Sequence, residues 1–461
     1  MSQNEENNKH ILKKCCNFGI VSFSIALIVG TVLGAMIFLR PTVSENEKRK
    51  LTEFPEFTME SFLDGTYFSN ISLWYSDTYP MRDSLIGFNQ ELKAMYGIEG
   101  ETMLVGGNKT GDDIPDEIPQ IDDTAIDKED NEKDKEIAKD ENKENVEKDD
   151  KVELPDSKEM ETAIQNQIQQ GLYVKNGAAY SVYYFSQLAA DTYINALNKA
   201  AKVLEGTTKV YSILVPNNSG AMLSQDELDK VGGSDQGKAI KYYNNQYKNV
   251  TGIKTLETLR EHNDEYLYFR TDHHWSQLGA YYVYRNFCEQ KGITPNELSS
   301  FKTMTFNNFL GTFYSTLQNK DMASNPDTVT AYVPNDTNDM TFWDVDNSQV
   351  NWHVITDVSS WNQGSGYYCY IGGDKPLSII KNPKKKDGSS CLLVKESYGN
   401  CFAPFLVDHY ETVYIIDFRY AKVNVVDYVK QNNIKDLIIM NNISIIGSED
   451  VANSIGKLLA N

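Results

Sequence analysis

Five short runs of apolar and β-branched residues recur along this 461-residue chain, at 209–215, 265–270, 391–395, 412–416 and 436–440. Segments with helical periodicity are interspersed with them, at 187–204, 276–290, 421–431 and 449–459. This alternation predicts an α/β fold of three layers, in which helices cover both faces of a mostly parallel sheet. The functional site of such a sheet lies at the carboxyl ends of its strands. The residues that follow the runs are therefore the first candidates for chemistry.

The run at 265–270 leads directly into Thr271-Asp272-His273-His274-Trp275, where two of the six histidines of the chain are adjacent. Asp272 and His274 are two residues apart. On an extended backbone they point to the same side, so the carboxylate can orient the imidazole. These are two of the three groups of a hydrolase triad.

Two other interpretations of the histidine motif remain open. Asp272 or Ser276 could cap a helix that begins at about residue 277. Asp272, His273 and His274 are also potential metal ligands. Adjacent histidines on an extended backbone point apart, however, and no second cluster in the sequence supplies the missing ligands. We therefore predict no metal and no cofactor.

A candidate nucleophile follows the run at 391–395. Ser397 comes two residues after that run, within Glu396-Ser397-Tyr398-Gly399-Asn400. A serine on a turn that leaves a strand is exposed at the edge of the sheet, where its hydroxyl can meet a base and backbone N–H groups can face an oxyanion. An ordinary helix cap is the alternative role for Ser397. Together with the histidine motif, the serine favours an acyl-transfer site.

The motif Thr-Asp-His-His-Trp, the following Ser276-Gln277-Leu278-Gly279-Ala280 and the Ser397 turn resemble the DHHW family of exported proteins. That family is similar to the AlgX/AlgJ alginate O-acetyltransferase family, whose domain is SGNH hydrolase-like. The resemblance covers roughly residues 44–108 and 171–460. The chain departs from the SGNH pattern at Lys395-Glu396-Ser397, where Gly-Asp-Ser is usual, and the asparagine block that supplies an oxyanion donor is not identifiable.

The resemblance implies a role for each matching residue. Asp272 would orient the base, His274 would be the general base, and Ser397 would be the nucleophile that accepts the acyl group. Five neighbouring positions would contact the substrate: His273, Trp275, Tyr398, Asn400 and Arg419.

Residues 18–39 form a run of 22 residues without a charge. At 1.5 Å per residue a helix of this length measures about 33 Å, enough to span the core of a bilayer. We predict a transmembrane signal anchor at 18–39 that follows a cytoplasmic tail at 1–17. A cleaved signal peptide is the alternative. Lysines and arginines flank both ends, so charge does not decide the orientation. The resemblance implies a single-pass protein of the cell membrane with its catalytic domain extracellular.

Residues 109–161 are strongly acidic, with 9 Lys/Arg against 22 Asp/Glu and no aromatic residue. Such a segment cannot bury enough apolar surface to offset its chain entropy, which predicts a disordered insertion. It would interrupt one SGNH-like domain, with an N-terminal part at 40–108 and a main part at 162–461. The net charge of −21 argues against nucleic acid as a partner.

The region from about residue 301 to residue 374 is rich in amides, acids and aromatic residues, with Trp343, Trp352 and Trp361 spaced nine apart. Exposed aromatic rings among amides suit the faces and hydroxyls of sugars. A small β-rich cap with ordinary buried aromatic residues is the competing interpretation.

Taken with these residues, the family resemblance implies a membrane-anchored extracytoplasmic O-acetyltransferase that modifies a cell-surface or secreted polysaccharide through an acyl-serine. The resemblance implies a membrane-bound O-acyltransferase (MBOAT) partner that supplies the acyl group. Two alternatives remain at this level. One is a polysaccharide acetyl esterase, and the other is a non-catalytic glycan-binding protein of envelope assembly.

Overall fold

The computed structural model describes residues 171–460 continuously. Earlier in the chain it describes 40–44, 49–50, 53–59, 78–81, 102–105 and 111–115, and the single residues 21, 24, 62, 67, 68, 71, 74 and 75. The chain divides into two compact units, which are Met1–Glu99 with Val146–Ala163, and Gly100–Asn145 with Ile164–Asn461. The boundaries predicted at 40–108, 109–161 and 162–461 stay predictions.

In the first unit, strands β1 (Val43–Ser44) and β2 (Arg49–Lys50) pair in antiparallel fashion. No helix among the described residues combines the length and the apolar character needed to cross a membrane. The anchor predicted at 18–39 lies outside the described residues, apart from Val21 and Ser24. Residues 109–110 and 116–161 of the predicted acidic insertion also lie outside them.

The second unit contains the remaining strands. They are β3 (Thr102–Val105), β4 (Leu172–Lys175), β5 (Ala178–Ser181), β6 (Lys209–Val215), β7 (Val250–Gly252), β8 (Lys302–Phe309), β9 (Asp327–Val333), β10 (Asp339–Trp343), β11 (Gln349–His353), β12 (Leu377–Lys381), β13 (Ser390–Lys395), β14 (Thr412–Asp417) and β15 (Asp436–Asn442).

The α-helices described within 171–460 are α1 (Gln187–Val203), α2 (Asn218–Met222), α3 (Gln225–Val231), α4 (Gln236–Gln246), α5 (Leu256–Glu261), α6 (Gln277–Lys291), α7 (Thr312–Leu317), α8 (Lys320–Ser324), α9 (Val425–Gln431) and α10 (Glu449–Leu459). Four short 3₁₀ segments accompany them at Leu298–Ser300, Gln363–Cys369, Ser397–Gly399 and Ala403–His409.

Eight strands form the central sheet, in the order β11-β10-β12-β14-β13-β15-β6-β7. The five strands from β14 to β7 are parallel, and β12, β10 and β11 extend the sheet with antiparallel pairing. All residues of β13 and β15 are buried, as expected for parallel strands covered on both sides. The predicted α/β class is therefore correct, and the sheet is more mixed than predicted.

Helices lie on both faces of the parallel half. Tyr211 and Ser212 are neighbours on β6 and therefore point to opposite faces. The ring of Tyr211 packs edge-on against Phe287 of α6, with centroids 5.2 Å apart. On the other face, the Ser212 hydroxyl forms a 2.8 Å hydrogen bond with the Tyr247 hydroxyl, at the end of α4. The layered arrangement places the carboxyl ends of β13, β14 and β15 side by side.

The strand predicted at 265–270 is wrong. This segment forms only an isolated bridge between Tyr268 and Trp275 and belongs to no sheet. Its backbone groups find partners locally, because Phe269 N–H donates to the carbonyl of His274 and Ser276 N–H donates to that of Leu267. The apolar character of the run reflects a turn packed into the core.

Candidate active site

Ser397 lies at the carboxyl edge of the sheet, two residues after β13 ends. The chain leaves β13 through Glu396 and enters the 3₁₀ turn Ser397–Gly399. The carboxylate of Glu396 caps this turn by accepting from Tyr398 N–H at 3.0 Å. This is the strand-to-turn geometry predicted for a nucleophilic serine, and it holds the hydroxyl at the end of a rigid, buried strand.

Asp272, His274 and Ser397 form a continuous chain of hydrogen bonds. His274 Nε2 lies 2.7 Å from Ser397 Oγ, and His274 Nδ1 lies 2.6 Å from Asp272 Oδ1. The imidazole is buried and stacks on the ring of Tyr367, with centroids 3.9 Å apart. The three residues predicted as a triad are thus brought together, in the geometry in which a base can take the serine proton while an acid orients the base.

A tight turn, and not an extended strand, brings Asp272 to His274. The same oxygen that contacts the ring also accepts from His274 N–H at 3.0 Å, which is an Asx-type turn. The second oxygen accepts from Thr312 N–H at 2.8 Å. Gly311 makes room for this carboxylate, since a Cβ at that position would overlap it. Both carboxylate oxygens are therefore held in fixed positions.

The environment keeps Asp272 ionised. Burial alone would raise the pKa of this carboxyl. The charges of His274 and His273, and hydrogen bonds from His274 and from Thr312 N–H, outweigh burial and lower the pKa below its ordinary value of 3.8. An ionised carboxylate beside Nδ1 is what stabilises the imidazolium that forms when the serine proton is transferred.

We expect the stability of the protein to report this shift. A carboxyl with a depressed pKa in the folded state contributes stability that is present above its unfolded-state pKa and is lost as the pH falls through the folded-state value. The free energies of unfolding of the wild type and of Asp272→Asn should therefore converge as the pH falls below about 4. Urea denaturation at several pH values measures both. A difference that stays constant below that pH would contradict the shift.

A buried acid that the sequence gives no sign of holds the histidine motif in place. Asp327, the first residue of β9, is fully buried. It accepts from Thr271 N–H at 2.8 Å, from the Thr271 hydroxyl at 2.6 Å and from Arg270 N–H at 3.2 Å. The hydroxyl of Tyr266 also donates to it. These bonds replace the strand pairing that was expected here.

A second buried cluster lies beneath the serine turn. The ammonium of Lys395 is buried, 2.8 Å from Asp374 and 2.9 Å from Asp417. Arg419 contacts both carboxylates at 2.8 Å. Burial would lower the pKa of Lys395, but the two carboxylates raise it above its ordinary value, so the lysine stays charged. The departure from Gly-Asp-Ser at Lys395 therefore builds a four-charge network.

Glu396, the other unusual residue of that sequence, is also buried. It accepts from Asn442 N–H at 2.8 Å as well as from Tyr398 N–H, and its carboxylate lies 3.2 Å from Ser397 Oγ. Burial raises its pKa. Because Glu396 already binds these two N–H groups, neither of them is available as an oxyanion donor in this arrangement.

The five predicted substrate contacts differ in exposure. His273 and Arg419 keep 23% and 32% of their side chains exposed. Trp275 is fully buried, and its indole N–H donates to the carbonyl of Tyr398 at 2.9 Å. Tyr398 and Asn400 are also buried. These three support the site from within the core, whereas His273 and Arg419 are partly exposed beside it. Contact of the five with a substrate stays a prediction.

The rings of His273 and His274 do not point apart, because their centroids lie 3.8 Å from each other. The turn at Asp272 bends the backbone away from the extended form assumed in the prediction. Ligand atoms of Asp272, His273 and His274 lie within 4.8 Å of one another and could hold a metal ion. Both nitrogens of His274 are already bonded to Asp272 and Ser397. A metal would have to break that chain of hydrogen bonds.

The fold and the site define an α/β protein with a Ser-His-Asp arrangement at the carboxyl edge of its sheet. The chain belongs to the DHHW protein family, whose sequence model matches residues 47–416. A search of curated proteins finds no match.

Solved structures with the same fold include a DHHW family protein from Eubacterium siraeum. It is 28% identical, with a TM-score of 0.57, and the match covers 63% of this chain and 95% of that one. PatB1 from Bacillus cereus, solved with a sulfonyl adduct, is 20% identical with a TM-score of 0.51, over 61% of this chain and 97% of that one. The O-acetyltransferase domain of AlgJ from Pseudomonas putida matches at 11% identity and a TM-score of 0.34, over 59% of this chain and 90% of that one.

Proposed function

We propose that the protein is an O-acetyltransferase that modifies a cell-surface or secreted polysaccharide through an acetyl-serine at Ser397. The single observation that carries the proposal is the unbroken path from Asp272 through His274 to Ser397, with contacts of 2.6 and 2.7 Å. A serine is a weak nucleophile unless an adjacent base removes its proton. This arrangement supplies the base and the acid that orients it.

The reaction would proceed in two half-reactions. Ser397 Oγ attacks the acetyl carbonyl of a donor ester while its proton passes to His274 Nε2, and the departing alcohol takes that proton. A sugar hydroxyl then attacks the acetyl-serine carbonyl and gives its own proton to His274. When the ester bond to Ser397 breaks, the serine oxygen recovers this proton and the acetyl group is left on the sugar. Asp272 stabilises the imidazolium in both steps.

The family resemblance supports acetyl transfer to a sugar over hydrolysis. It also supports the remaining parts of the proposal. The uncharged segment at 18–39 would anchor the protein in the cell membrane with its catalytic domain extracellular. A membrane-bound O-acyltransferase would supply the acetyl group from inside the cell.

Peptide mass spectrometry after incubation with p-nitrophenyl acetate tests the proposal. We expect the full-length protein to gain one acetyl group on the peptide that contains Ser397. Adding a sugar acceptor should move this group to the sugar. Loss of the group to water, at the same rate with and without the acceptor, would identify an esterase instead. Acetylation confined to lysines would overturn the proposed mechanism.

A further inference from the structure

The antiparallel end of the central sheet has one face that solvent reaches. Along β10, residues alternate between buried Met340 and Phe342 and the partly exposed Thr341 and Trp343. Alternate residues of a strand point to opposite faces. Thr341 and Trp343 therefore lie on the open face, which continues on β11 with exposed Gln349, Asn351 and His353.

The three tryptophans of this region have different environments. Trp352 is on the opposite face, where its ring packs 5.9 Å from that of Phe342, and a Cβ on Gly372 would come within 2.7 Å of its indole nitrogen. All three tryptophans are partly exposed, but Trp352 and Trp361 both pack against the main core. Trp343 lies on the open face. Of the three, Trp343 is the one whose position suits contact with a ligand.

Polar groups flank Trp343 on the β11 side, whereas partly exposed Leu377 of β12 lies on its other side. Gln349 lies directly across the strand pair from Trp343, and Asn351 lies across from Thr341. The Thr341 hydroxyl donates to the Asn351 amide oxygen at 3.2 Å. Residues opposite each other in an antiparallel pair have Cβ atoms about 5 Å apart. One indole ring, two amides and a hydroxyl therefore form a single patch, the Trp343 patch, on the open face of the sheet.

The Trp343 patch lies at the same edge of the sheet as Ser397. Trp343 pairs with Leu377, at the start of β12. Because β12 runs antiparallel to β14, the start of β12 lies beside the carboxyl end of β14. Trp343 is therefore level with that end. Three strand spacings, from β10 through β12 and β14, separate it from β13. At about 4.8 Å each they amount to about 14 Å. This distance exceeds one sugar ring and is within reach of a short oligosaccharide.

We propose that the Trp343 patch is a subsite for the acceptor polysaccharide, several sugar residues away from the hydroxyl that receives the acetyl group. The inference rests on the proposed function. The indole stacks on the apolar face of a sugar ring, and the amides of Gln349 and Asn351 with the Thr341 hydroxyl bond to its hydroxyls.

The chemistry of the patch favours a neutral or amino-sugar polymer. The chain carries a net charge of −21, and the exposed carboxylate of Asp339 lies on the same hairpin. Both would repel a polyanion. A bilayer is a poor occupant, because two amides and a hydroxyl would lose their hydrogen bonds with water there. Partly exposed Leu377 and Ile379 border the patch on β12, and the indole of Trp343 is its one aromatic ring, which suits the face of a single sugar.

Isothermal titration calorimetry with the hexasaccharides of N-acetylglucosamine and of glucose tests the subsite on the full-length protein, independently of catalysis. We expect the wild type to bind at least one of them. Trp343→Ala should weaken that binding about threefold to tenfold, whereas Trp343→Phe should retain most of it. Asn351→Ala, at an exposed position that folding tolerates, should weaken binding a fewfold.

Val345→Ala is the matched control, because Val345 is 70% exposed next to the hairpin turn and lies outside the patch. Its affinity should equal that of the wild type. The subsite is overturned if the wild type binds neither hexasaccharide, or if Trp343→Ala and Asn351→Ala bind as tightly as the wild type. Acetyl-serine formation tests the proposed function separately. If Ser397 becomes acetylated but both variants bind the hexasaccharide as tightly as the wild type, the subsite alone is refuted.

Discussion

Replacing Ser397 or His274 with alanine is expected to lower the rate of acetyl transfer from p-nitrophenyl acetate by about 10⁴- to 10⁶-fold. In the proposed mechanism Ser397 Oγ becomes acetylated, and His274, whose Nε2 lies 2.7 Å away, is the base that activates it. Triad members act as one unit, so the loss in the double variant should resemble that in either single variant and not their product. Release of p-nitrophenolate under single-turnover conditions measures all three.

His273→Ala is the matched control for His274→Ala. The two rings are adjacent, but His273 Nδ1 contacts the Thr312 hydroxyl at 2.6 Å and has no bond to Ser397. Burial and the neighbouring His274 lower the pKa of His273 to about 3, so its ring is uncharged at neutral pH and its charge acts on Asp272 only in acid. We expect a far smaller loss of rate. Equal losses in the two variants would show that His274 has no special role as a base.

The serine and the Asp-His pair could be predicted from the sequence because each follows closely after a short apolar run. The residues that hold them could not be predicted. Asp327 lies 55 residues after Asp272 in the sequence. Its contacts are made with a turn that forms where the sequence predicted a strand. The same turn explains why the two histidine rings meet although an extended backbone would separate them. The burial of Trp275 likewise follows from tertiary packing, and nothing in the local sequence distinguishes it from a surface residue.

The parallel strands were predictable for a physical reason, since strands buried on both faces appear as continuous apolar runs. The predicted run at 412–416 is β14 without its last residue, and the predicted helix at 449–459 is α10. The helix predicted from residue 421 begins only at Val425, because Asn424 caps it by accepting from Asp427 N–H at 2.9 Å. The sequence indicated the antiparallel region only as a possible β-rich cap, because strands with one polar, open face such as β10 and β11 lack a continuous apolar run. The Trp343 patch belongs to that face.

Lys395→Met is expected to lower the free energy of unfolding by about 3–5 kcal/mol. Methionine keeps an aliphatic stem beneath Gly399, whose backbone the Lys395 side chain closely approaches. The substitution removes the buried ammonium that contacts both Asp374 and Asp417. Arg419 alone is then left to balance the two carboxylates. An unbalanced buried charge is far more destabilising than the loss of the pair itself.

A double variant distinguishes the loss of charge balance from the loss of packing as the cause of this destabilisation. Adding Asp374→Asn to Lys395→Met restores one positive and one negative group, so the double variant should be more stable than the sum of the two single changes predicts. Lys384→Met is a surface control, because the Lys384 side chain is 60% exposed beside Asp336, and it should cost less than about 1 kcal/mol. Chemical denaturation of these four variants and of the wild type measures the free energies of unfolding. If the losses of stability in the two single variants simply added in the double variant, the four charges would not act as a network. Packing alone would then account for the contribution of Lys395 to stability.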